Sequence, residues 1–210
     1  TETAFRVTAL LALPAGAGLS VLAGPILDLL YPAVPETAAA AAYHLSVLGI
    51  ACIFVRLMVM TGGVLQAYGH EYIPVLSLLC GGALKVMANY LLVANPEVGI
   101  RGAAVGTLCC YVLITLINLI AIHRLVPRRP DYFAVLYKPV LATAAMAVVA
   151  RGSWSLLDRL TNGSRAAVLG AIMLAVAVYA MAALFLGAIR RQDLAALPKG
   201  EKIADLLRIH

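Results

Sequence analysis

Carboxylates are scarce in this chain, and those present avoid its apolar stretches. Of ten Asp and Glu in 210 residues, Glu2, Glu36, Glu71, Glu97, Asp131, Asp158, Asp193, Glu201 and Asp205 fall in polar breaks or tails, and Asp28 sits at the end of an apolar run. An ion-binding site built on buried acid has no material here. Cysteine is equally uninformative: Cys52, Cys80, Cys109 and Cys110 lie inside apolar runs with neither CxxC nor zinc-ligand spacing, and read as small packing residues. The four histidines, His44, His70, His123 and His210, are scattered, so no metal site is indicated. No Ser/His/Asp set, no Gly-rich phosphate loop and no pair of carboxylates at working distance appears, which leaves hydrolysis and other bond-making chemistry without support; no cofactor is implied.

What fills the chain instead is hydrocarbon. Sixty-three per cent of the residues are hydrophobic and the mean hydropathy is +0.95, far above an ordinary soluble domain. A crossing needs about 20 apolar residues. Six runs qualify: 5–30, 38–66, 73–94, 100–122, 133–150 and 166–189. Pro and Gly mark the breaks, at Tyr31 to Glu36, Tyr68 to Glu71, Asn95 to Glu97, His123 to Asp131 and Asn162 to Ser164. With no water in the bilayer core, each span must be a helix that satisfies its own backbone. The expected fold is therefore all-α, a polytopic bundle of about six membrane helices. Pro14 and Pro25 predict a kinked first helix. Trp154, Leu156 and Leu157, in the polar stretch 151–165, predict a segment lying along the membrane interface.

Charge gives an orientation. If Thr1 starts inside, Arg6, Arg124, Arg128, Arg129, Lys138, Arg190, Arg191, Lys199, Lys202 and Arg208 fall inside, against Arg101, Arg151, Arg159 and Arg165 outside. Both termini are then on the cytoplasmic side of the membrane. The formal charge of +6 is answered by the bilayer's anionic leaflet, and no nucleic-acid partner is needed. Residues 190–210 read as an amphipathic tail on that surface. The opening Thr-Glu-Thr-Ala-Phe, without Met and running straight into an apolar helix, reads as a piece of something longer.

Two cations stand at membrane depth. Arg56 lies a little past the middle of the second span and Lys85 near the middle of the third. Each costs about 2.5–3.5 kcal/mol at the bilayer centre on insertion scales, so each must face protein, water or a ligand. No carboxylate in the chain lies at their depth. Their counter-charge is a helix outside this sequence or an anionic substrate. Helical phase places Ser77, Gly81, Lys85 and Asn89 on one face of the third span, and Thr107, Tyr111, Thr115 and Asn118 on one stripe of the fourth. Gly49, Cys52, Arg56 and Gly63 recur on the second. These faces suit either a shared cavity or tight helix packing, and Gly102 with Gly106 favours packing. Arg56, Lys85, Asn89, Gln66, Tyr111 and Asn118 are the substrate-pathway candidates, the last four also as contacts to partner helices.

Four motifs occur in order: LPAGAGLSVLAGPILDLLYP at 13–32, GGVLQAYGHEYIP at 62–74, GALKVMANYLLV at 82–93 and GIRGAAVGTLCCYVLITLINL at 99–119. In sequence and spacing they resemble the carboxy-terminal half of the stage V sporulation protein B group. This is a polysaccharide-exporter and lipid II flippase branch of the superfamily that includes multidrug and toxin extrusion transporters. DLAALPKGEKIADLL at 193–207 is similar to that group's ending. The resemblance implies about fourteen helices in two lobes plus a final pair. Residues 1–124 would supply the last four helices of the second lobe, 125–189 the final pair and 190–210 the tail, with the missing amino-terminal helices as partners. It further implies an undecaprenyl-diphosphate-linked sugar, such as lipid II, as substrate, moved by alternating access. The rival readings are a cation-coupled multidrug antiporter, which needs intramembrane acid, and a non-transporting scaffold of envelope assembly.

Overall fold

Seven helices account for all the regular structure among the residues described by the computed structural model, 2–95, 98–126, 132–161 and 165–186. They are α1 (Glu2–Val21), α2 (Ala23–Leu30), α3 (Pro35–Ala67), α4 (Tyr72–Val93), α5 (Arg101–Leu125), α6 (Tyr132–Thr161) and α7 (Arg165–Phe185). Five are long and apolar enough to cross a membrane, and α1 with α2 forms a sixth crossing if the bent pair is one span. The protein is an all-α, polytopic membrane helix bundle. The tail at 190–210 lies outside the described residues.

The helices stand in a row, with α4 against α5, α5 against α3, α3 against α1, α1 against α6 and α6 against α7. α2 folds back onto α3. One end of the bundle gathers Phe5, Val64, Leu65, Ile122 and Val126 into a buried cluster joining the start of α1 to the ends of α3 and α5. Arg6 and Arg124 flank that cluster in sequence. At the other end Arg101 lies over the Tyr43 ring, 5.5 Å from its centroid.

Each proline in the first span acts differently. Pro14 sits inside an unbroken α1. Lacking an N–H, it cannot bond the Leu10 carbonyl one turn back. The Tyr179 hydroxyl of α7 donates to that carbonyl instead, at 2.7 Å. Pro25 leaves the Val21 carbonyl in the same position, and there the helix breaks: α1 and α2 meet at 71°. The kink expected over 5–30 is a sharp break at Leu22, placed by Pro25 and not by Pro14.

The stretch 151–165 corrects the sequence reading. α6 runs on through Arg151 and Gly152 to Thr161, and its apolar window extends from Leu136 to Leu157. The Ser153 and Ser155 hydroxyls donate to the carbonyls of Ala150 and Gly152 on their own helix, at 3.1 and 2.9 Å. Trp154 packs on the cluster of Leu22, Met146, Ala150 and Ala175 instead of lying along the interface. Packing against α1 and α7 carries the helix past its polar residues.

Tyr179→Phe lowers the stability of the detergent-purified protein by about 1 kcal/mol, read as a lower melting temperature. With the missing N–H restored by Pro14→Ala, the same change costs about half as much or less.

Candidate functional site

The polar residues at membrane depth separate into three places. α4 and α5 run antiparallel, and each step of four along α4 meets a step of four back along α5. Ser77 meets Asn118, Gly81 meets Ile114 and the Cys110 carbonyl, Asn89 meets Gly106, and Leu92 meets Gly102. Ser77, Gly81 and Leu92 are therefore turned onto α5, with the two backbones brought close by glycine, and half-buried Lys85 and Asn89 lie at the margin of that contact. A Cβ on Gly106 would come within 2.6 Å of Asn89 Oδ1.

One end of this seam is a buried polar node. Asn118 accepts a hydrogen bond from the Ser77 hydroxyl at 2.8 Å and donates to the Thr61 hydroxyl at 3.2 Å, tying α5 to α4 and α3. Thr61 and Ser77 also reach carbonyls of their own helices, Leu57 and Met58 for the first and Pro74 for the second. One turn away the Thr115 hydroxyl is shared between Tyr111 O on its own helix and Phe54 O on α3. Asn118 thus serves partner helices. Tyr111 is half-buried on the same helix.

The middle of the seam is unsatisfied. Asn89 Oδ1 is buried without a hydrogen-bond partner, and Lys85, one turn earlier, is half-buried. Among the described residues neither Lys85 nor Arg56 makes a hydrogen bond or an ion pair.

Arg56 occupies different ground. Cys52, Arg56, Val59, Gly63 and Gln66 form one exposed stripe along α3. Beside it α1 contributes Thr8, Leu11, Ala15 and Leu19, so that two adjoining grooves of about 430 and 550 Å³ meet at Thr8 and Arg56. The first continues past Gly63 to Tyr68 at the end of α3. The guanidinium is the principal charge in a mainly apolar trough. Gly49, placed with Arg56 by its spacing, belongs elsewhere: it is buried against α1, where a Cβ would fall 2.7 Å from Ser20 N. The neighbouring Ser20 and Ser46 hydroxyls are hydrogen-bonded at 3.1 Å.

The structure therefore puts Arg56 with Gln66, Lys85 with Asn89, and Asn118 in the node, and the grooves at Arg56 do not include Lys85. Thr61 and Tyr179 were missed as organising residues. Thr61 carried a signal, since it lies well off the Arg56 stripe in helical phase and marks a second buried polar face. Tyr179 carried none, because its partner is a carbonyl 169 residues away. Among the described residues no group of His, Cys, Asp and Glu is arranged to hold a metal.

No family model matches the chain, and no solved structure matches it. Over 199 residues it is 27% identical to the uncharacterized membrane protein YabM of Bacillus subtilis (strain 168). The match takes in 92% of this chain and 36% of that protein, so the chain spans about a third of the length of the curated relative it matches. That relative is likewise a membrane protein by its description, in keeping with the multi-pass bundle.

The exposed Cys52 thiol, one turn from Arg56 in the same groove, reports whether the groove holds water. In a variant whose other cysteines are replaced by Ala, a charged thiosulfonate reagent labels Cys52 about tenfold faster than it labels Cys80 in the matching variant, because a charged reagent reaches only a thiol that faces water. Cys80 is exposed outside the two grooves. Equal labelling means a groove filled with hydrocarbon.

Proposed function

We propose that the chain is the carboxy-terminal part of a membrane exporter that moves a lipid-linked diphosphate sugar across the bacterial cytoplasmic membrane. The observation that carries this reading is Arg56, an exposed guanidinium in a mid-membrane groove between α1 and α3 with no ion pair among the described residues. A diphosphate accepts two hydrogen bonds from the planar guanidinium fork and is charged enough to offset the cost of keeping arginine in hydrocarbon. The apolar walls suit the lipid end of such a molecule, and Gln66, two to three turns along the same stripe, offers an amide to a sugar hydroxyl. The resemblance of the four motifs to the lipid II flippase group points to the same substrate class. No bond is made or broken in this reading: the protein binds the headgroup, excludes it from the hydrocarbon and re-exposes it on the other side by rocking of one lobe against the other.

Tested in the complete polypeptide reconstituted in vesicles, Arg56→Ala reduces transbilayer movement of an undecaprenyl-diphosphate sugar about tenfold or more, a loss of about 1.4 kcal/mol or more. Arg56→Lys, which keeps the charge and loses the fork, falls between the two. Native export by Arg56→Ala, at native abundance in the membrane, overturns the reading.

A further inference from the structure

Lys85 presents a different problem from Arg56, because it lies outside both grooves at Arg56. It sits two to three residues beyond the centre of α4, about 4 Å along the axis from the middle of that 22-residue span, and its four-carbon stem is too short to carry the ammonium to the interface. One turn on, Asn89 has a buried oxygen that receives no donor. Two polar groups side by side on one helix face, both without a hydrogen bond among the described residues, mark a contact only partly made.

The surroundings say what completes it. α4 is the end of the helix row, packed on α5 with a minor contact to α3, and only 11% of its apolar window is buried, against 33% for α5. Its free side beside Lys85 is low: Gly82 meets nothing within 4 Å, while Val86 and Tyr90 stand proud at 72% and 77% exposure. A small residue flanked by larger ones is the profile that lets a second helix approach closely in lipid. The charge asks for an acid, and this chain has none at that depth. Its matched relative is nearly three times as long as the aligned part.

We propose that the free edge of α4, through Lys85 and Asn89, docks a membrane-spanning helix from the part of the same polypeptide outside these residues, and that this helix carries an Asp or Glu at mid-depth. The lysine ammonium has three donors: one or two meet the incoming carboxylate and another the Asn89 oxygen, while the Asn89 amide donates to the same carboxylate. Lys85 is then a positioning residue for a helix pair, independent of what the protein carries.

Stability of the complete polypeptide in detergent reads this directly, and its outcome does not depend on lipid export. Lys85→Met strands the partner acid and lowers the melting temperature by about 5 °C or more, while Lys85→Arg retains most of it. In the Lys85→Met background, the membrane-embedded Asp and Glu residues outside this chain are changed one at a time to Asn or Gln. One of these restores the native melting temperature. If Lys85→Met does not accumulate, that second change restores its accumulation, and alone it destabilises the otherwise native protein. The docking is overturned if Lys85→Met melts with the native protein, or if no neutralisation rescues it.

Discussion

A backbone carbonyl inside hydrocarbon has no water to fall back on, and most of the distinctive features of this fold answer that single constraint. Pro14 removes a donor from the first helix, and a tyrosine from the last described helix, 169 residues away, supplies one. Pro25 removes another, and the helix turns through 71°. Side-chain hydroxyls obey the same rule from the other direction: Thr61, Ser77, Thr107 and Thr115 all return their protons to carbonyls of their own helices. Only after that requirement is met do Ser77, Thr61 and Thr115 reach across to a neighbour.

Association between the helices then rests on closeness more than on exclusion of water, since lipid tails are as apolar as leucine. Two close approaches are made at glycine. Gly16 and Gly49 bring α1 onto α3, and Gly81, Gly102 and Gly106 bring α4 onto α5. The Thr61–Asn118–Ser77 node adds direction to this packing, because three helices must hold one rotational phase for all its bonds to form. Around that rigid trio the Arg56 groove is left open on the α1 side. The same row of helices thus has a glycine-built seam between α4 and α5 and, beside the α1–α3 contact, a trough that holds the Arg56 guanidinium.

The helices and their breaks were legible because apolar length in a membrane is set by bilayer thickness, a property visible without any partner. The polar residues at depth were legible for the same reason, as departures from an apolar background. What neighbour each would meet was not. The stripe of Lys85 and Asn89 has the same periodicity whether it lines a cavity or packs on α5, and only the three-dimensional placement of Gly102 and Gly106 distinguishes the two. Arg151 and Gly152 looked like the end of a span because locally they are a turn signal. The helix persists through them since Trp154 finds α1 and α7 to pack against. Tyr179 was silent in the sequence, being one of nine tyrosines whose importance comes wholly from a proline in another helix.

The four-residue cadence that locks α4 to α5 also bears on how this protein can change over evolutionary time. Substitutions along the seam are felt one rung at a time, but an inserted or deleted residue in either helix turns everything beyond it by about 100° and moves every later rung off its mate. Gly102 and Gly106 would then face lipid instead of admitting α4, and the Asn118 amide would turn toward lipid with them. Between these two helices, length is therefore free to vary in the connection from Val93 to Arg101 and constrained within 77–92 and 102–118.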